Sequence, residues 1–147
     1  MSSFVTNEFF KEVLIGNVDL TDSNIKVALM NTNYTPNITD STVTLGSPNE
    51  AEDTDASTTY VSGGSALDTP TIEIDVANNW ATFKALNLEW LTTTFASGKA
   101  PAYAVLYDST ASNRLLAVID LGGEQITVSE SFKLNFSVNG VFRLRMY

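Results

Sequence analysis

The sequence predicts a mainly β protein: an antiparallel β-sandwich of jelly-roll type with about seven or eight strands. One short N-terminal α-helix and a long polar loop excursion over residues 31–70 complete the expected architecture. Three observations predict it. Apolar and polar residues alternate in short runs from Thr71 to Met146, the period of a half-buried strand. Turn-forming Asn, Gly and Ser residues separate those runs at short intervals. Only one stretch, near the start, spaces its apolar residues by three and four.

That stretch contains Val5, Phe9, Phe10, Val13 and Leu14, which form one stripe expected to lie on a face of the sheet. Thr6 or Asn7 can cap its first turn, Glu8 suits its positive end, and Gly16 is placed to end it. Residues 1–23 are thus an N-terminal arm and helix within a single domain, 1–147. Ile25 to Met30 is a largely buried first strand. The excursion that follows is rich in Asn, Thr, Ser and Asp, and a connection of this length inside a domain is commonly functional. Its scattered apolar residues, Tyr34, Ile38, Val43, Leu45, Tyr60 and Leu67, predict a segment packed over the sheet edge.

From Thr71 to Val76 the alternation is strict, with Ile72, Ile74 and Val76 expected inward and the acids outward. Asn78-Asn79 supplies a tight turn, since Asn tolerates positive φ. Trp80 to Phe95 makes one or two strands, and Ser97 to Pro101 a turn. Ala102–Asp108 and Leu115–Leu121 are the strongest hairpin pair; both are nearly all apolar and mark the centre of the core. Gln125 to Val128 reads as a short edge strand. Phe132 to Val138 and Val141 to Met146 flank Asn139-Gly140, the best two-residue hairpin signal in the chain, with Phe142, Leu144 and Met146 expected inward.

Apolar residues make up 44% of the 147 positions and charged residues 17%, a globular balance with a surface left largely to Ser, Thr and Asn. The net charge is −9, which disfavours nucleic acid and anionic membranes as partners. The charge is uneven. Residues 1–80 hold two bases against twelve acids, and residues 81–147 hold six against five. This arrangement fits a solvated acidic face or, more pointedly, an acidic edge that meets a basic edge on a neighbouring copy. No apolar run approaches a membrane span, and the N-terminus has no basic-then-apolar secretory pattern.

The chain has no His and no Cys. Serine–histidine triads, thiol nucleophiles and most zinc sites therefore lack their components. No phosphate-loop or dinucleotide motif occurs, so no cofactor is expected; Ser62-Gly63-Gly64-Ser65 lacks the following Lys and reads as a turn. Carboxylate pairs could hydrolyse a sugar bond, but seventeen acids make sequence proximity uninformative. Glu50 to Asp55 could chelate calcium, though without the Gly and ligand spacing of a helix–loop–helix site. Exposed Tyr34 and Tyr60 could stack on sugars or a partner; packed anchoring of the loop is the plainer reading.

One ordered set of features carries a resemblance. The helix ending at Gly16 precedes Tyr34-Thr35-Pro36, then Tyr60, Gly63-Gly64 and Leu67, and a tryptophan strand at Trp90. Ala102 to Asp108 leads to Leu115 through Gly123, and Phe132 with Asn139 to Leu144 closes the chain. The set resembles small virion proteins of tailed bacteriophages, of the capsid decoration (cement) type or tail-associated. It covers most of the chain as core and turn residues, without an active-site motif. The resemblance implies a non-enzymatic protein on the outer capsid surface, made in the host cytoplasm, often trimeric, binding the major capsid protein and stabilising the shell. The alternative it leaves is a tail or fibre module recognising a host receptor or glycan, with Tyr34 and Tyr60 at a distal tip. Contacts are expected from the N-terminal segment, through Phe4, Val5 and Phe9, and from the excursion, through Tyr34 and Tyr60.

Overall fold

The computed structural model describes residues 2–145. Among them are one helix, α1 (Asn7–Leu14), and ten strands: β1 (Phe4–Val5), β2 (Ile25–Met30), β3 (Ser65–Ala66), β4 (Thr71–Asp75), β5 (Trp80–Lys84), β6 (Leu88–Thr93), β7 (Tyr103–Asp108), β8 (Arg114–Asp120), β9 (Glu130–Leu134) and β10 (Phe142–Arg145). The fold is mainly β and sandwich-like, and each strand pairing is antiparallel. The strands divide over three sheets, in the orders β1-β8-β7-β2-β3, β10-β5-β4 and β6-β9. The two-residue strands β1 and β3 are beyond the reach of a periodicity argument. Gln125 to Val128, expected as an edge strand, is irregular.

The nearly unbroken apolar runs of β2, β7 and β8 make physical sense because their sheet is covered on both faces. One face presents Val27, Leu29, Ala104, Leu106 and Leu116 to Phe9, Tyr60, Trp90, Phe95 and Phe132. The other presents Ala28, Met30, Val105, Tyr107, Leu115 and Val118 to Tyr34 and Val43 of the excursion. A β-bulge between Leu106 and Tyr107 shifts the register against β8. The excursion is therefore a packed layer.

Helix α1 starts where expected. The Thr6 hydroxyl accepts from the Phe9 N–H at 3.2 Å and donates to the Leu115 carbonyl at 2.8 Å, so one buried side chain caps the helix and ties it to β8. The expected apolar stripe does not form as a unit. Phe9 is buried, while Phe10, Val13 and Leu14 are exposed, and Glu12 occupies a buried position instead. Lys11, Arg114 and Asn17 surround the Glu12 carboxylate at 3.0–3.3 Å, which makes that burial tolerable.

The end of the chain also departs from expectation. Asn139-Gly140 does not join two paired strands: β9 pairs with β6, and β10 pairs with β5. The turn instead carries the chain from one sheet to another. A Cβ at Gly140 would stand 2.4 Å from the Phe83 carbonyl oxygen, so the close approach to β5 requires glycine there. Met146, expected inward, lies outside the described residues.

Candidate interaction surface

The excursion is held by a buried carboxylate. Glu50 is 4% exposed. Its Oε1 accepts from the Tyr60 hydroxyl and the Gly63 N–H, and its Oε2 from the Ser62 hydroxyl and the Gly46 N–H, each at 2.6 Å. Four donors saturate the acceptor capacity of a carboxylate. The Tyr60 hydroxyl also accepts from the Leu29 N–H at 2.9 Å, completing hydrogen bonds at the edge of β2. Burial and the neighbouring Glu50 charge push the Tyr60 phenol far above its ordinary pKa. Gly64 sits so close to β2 that a Cβ would lie 1.8 Å from the Val27 carbonyl oxygen. The double glycine is a turn, and also a point of contact between excursion and core.

The other acids of residues 50–55 are engaged separately. Glu52 pairs with Lys99. Asp53 accepts from the N–H groups of Thr94, Asp55 and Tyr60, and Asp55 from Ser129, Thr94 and Ser57. Burial pushes Asp53 up, but its N–H donors hold it below the ordinary carboxylate range; Ser129, followed by Ser57 and Thr94, holds Asp55 low. Among the described residues no three acidic, His or Cys side chains form a group that could hold a metal ion.

Of the five expected contact residues, Phe9, Tyr34 and Tyr60 are buried inside the chain. Their rings are spent inside one copy: Phe9 seats the helix on the sheet, and Tyr34 and Tyr60 anchor the excursion, the plainer of the two expectations for them. Phe9 meets Phe142 edge-on at 5.0 Å, and Tyr60 meets Trp90 and Phe95 at 5.5 and 5.8 Å. Tyr34 packs on Tyr103 at 5.9 Å, and its buried hydroxyl has no hydrogen-bond partner among the described residues. Burial, then the Asp40 charge, push its pKa to about 12. Phe4 and Val5 are half-buried in β1, beside a shallow groove that also includes Val141 and Phe142.

The exposed apolar surface lies elsewhere. β4 is exposed along its whole length, with Ile72 at 53%, Ile74 at 77% and the following Val76 at 81%. The alternation is legible in the sequence, but the inward assignment is wrong: among the described residues, much of the face carrying the isoleucines is left exposed. Cross-strand register puts Ile72, Phe83 and Phe142 in one row and Ile74, Ala81 and Leu144 in the next. Phe83 is covered, with Phe142 packed against the core, whereas Leu144 is 39% exposed. An apolar groove with Val13 and Leu20 on one side and Ile72 and Leu144 on the other runs between α1 and this sheet. Covering one such side chain fully is worth about 1.5–3 kcal/mol, so this surface favours association.

The opposite face of the same sheet is polar. It carries Glu73 and Asp75 on β4, Lys84 and Trp80 on β5, and Arg143 and Arg145 on β10. Lys84 Nζ pairs with Glu73 at 2.5 Å, and both guanidinium groups lie over the Trp80 ring, 5.2 and 5.1 Å from its centre. No protein-family model matches this chain, and neither a curated protein nor a solved structure matches it.

Proposed function

We propose that this chain is a non-enzymatic structural protein of a phage virion, a capsid decoration protein that binds the major capsid protein on the outer shell and self-associates as a trimer. The observation that carries the reading is the apolar sheet face of Ile72, Ile74, Val76 and Leu144, which stays largely exposed among the described residues. Exposed apolar surface on this scale is characteristic of proteins that work by being covered. The low share of charged residues supports the same reading. A protein of this kind stabilises a shell by mass action, because its contacts exist only in the assembled state. The receptor-binding alternative relied on Tyr34 and Tyr60 at an exposed tip, and both are buried.

The test is to mix purified protein with capsids of its own phage assembled without it. Saturable, stoichiometric binding that raises the temperature of capsid disruption supports the proposal. Capsids that remain bare at micromolar protein overturn it.

A further inference from the structure

The three-stranded sheet ends in two edges of opposite charge. β4 and β10 are its outer strands, and no described strand pairs with the outer side of either. β4 carries Glu73 and Asp75 and no base; β10 carries Arg143 and Arg145 and no acid. Both strands are antiparallel to β5, so they run in the same direction. The start of β10 lies beside the Phe4–Val5 segment, which leaves Arg143 to Arg145 as its exposed stretch. Open, exposed strand edges tend to pair with another chain.

We propose that β4 of one copy adds to β10 of the next, head to tail, extending the sheet from copy to copy into a closed ring. The inference rests on the self-association proposed above and supplies its geometry. The alternatives fail on charge. A two-fold contact that pairs β4 with β4 sets Glu73 and Asp75 against their own copies, and one that pairs β10 with β10 does the same for two arginines. Like charges placed directly opposite on neighbouring strands are unfavourable. The head-to-tail contact instead places acids beside bases, and it does so in parallel orientation because β4 and β10 run the same way. It also brings Ile72 and Ile74 of one copy to the same face as Leu144 of the next, so that exposed apolar side chains of two copies cover one another. A heterologous contact of this kind generates rings when its rotation closes.

The experiment measures the solution mass of the full chain by sedimentation and light scattering over a range of concentrations. A trimer or larger ring is expected. Reversing one edge, with Glu73→Arg and Asp75→Arg or with Arg143→Glu and Arg145→Glu, should weaken self-association by about a hundredfold. Combining all four substitutions should restore it. A monomer or a dimer at every concentration overturns the inference, as does a ring that the single-edge reversals leave intact or the four-fold exchange fails to recover. Should a reversal variant not fold, a cysteine pair decides. Glu73 and Arg143 both register with Thr82, on opposite sides of β5, so they stand about two strand spacings (~9.6 Å) apart within one chain. That exceeds the reach of a disulfide. Since the natural chain has no Cys, oxidised Glu73→Cys/Arg143→Cys protein should form a covalent multimer ladder, and only monomer overturns the inference. Wild-type binding to bare capsids, measured in parallel, separates failure of this interface from failure of the decoration role.

Discussion

Replacing Glu50 with Gln keeps the size and shape of the side chain but converts one acceptor oxygen to an NH2 group. Each carboxylate oxygen of Glu50 accepts a backbone N–H, from Gly63 on one side and Gly46 on the other. Either orientation of the Gln amide therefore points a donor at a donor across 2.6 Å. One charge-assisted hydrogen bond is lost outright, worth about 1.5–3 kcal/mol, and those remaining change from an ionised to a neutral acceptor. Relief of burying a charge offsets part of the loss. The net expectation is a destabilisation of about 2–4 kcal/mol, a large share of the roughly 5–15 kcal/mol typical of a domain. Urea unfolding followed by tryptophan fluorescence should show it as a midpoint lowered by about 0.7–4 M, given a slope near 1–3 kcal/mol per molar. Glu52→Gln, which removes an exposed pair with Lys99, is the control and should shift stability by less than about 1 kcal/mol. A Glu50→Gln protein within about 0.5 kcal/mol of wild type would refute the argument that this carboxylate holds the excursion to the core.

Two tyrosines should respond oppositely to loss of a hydroxyl. Tyr60→Phe strands the Leu29 N–H and removes a donor from Glu50, costing about 2 kcal/mol, whereas Tyr34→Phe removes an unpartnered buried hydroxyl and should be neutral or stabilising by about 1 kcal/mol; paired thermal melts test the contrast. Gly64→Ala combines a φ of +66° with a Cβ overlapping the Val27 carbonyl, so it should cost about 3 kcal/mol or more and appear largely in the insoluble fraction. Stability should also fall in acid. Asp53 and Asp55 are depressed in the fold, so their contribution is full above the unfolded carboxylate value of about 4 and disappears as pH falls through their lower folded values. Melting temperature measured against pH should hold from pH 5 to 7 and drop below about pH 4, with Asp53→Asn/Asp55→Asn flattening that fall; a loss beginning near pH 6 would contradict this.

Much of the fold was legible because local chemistry and tertiary structure agree. Ala102–Asp108 and Leu115–Leu121 are apolar because both faces of their sheet are covered, and β7 and β8 form the expected hairpin. Thr6 caps the helix because its hydroxyl reaches the Phe9 N–H, an interaction between near neighbours in sequence. The candidate surface was less legible. For Tyr34 and Tyr60 the residue types allow both a packed anchor and an exposed contact; packing is the plainer expectation, and the excursion folded onto the sheet buries both.

The amino-acid pattern by itself determined that this is an antiparallel β protein with a capped N-terminal helix, since side-chain period and turn chemistry act over a few residues. It also determined that the first part of the chain, residues 1–80, is strongly acidic while the remainder is close to neutral. Tertiary structure alone decided which apolar positions are covered. Ile72 and Ile74 alternate as regularly as buried residues do, yet they are exposed, because alternation fixes only that two faces differ and not what lies over either one. The same holds for Asn139-Gly140: its local signal specified a tight turn, and the strand across from it was chosen by long-range packing of β10 on β5.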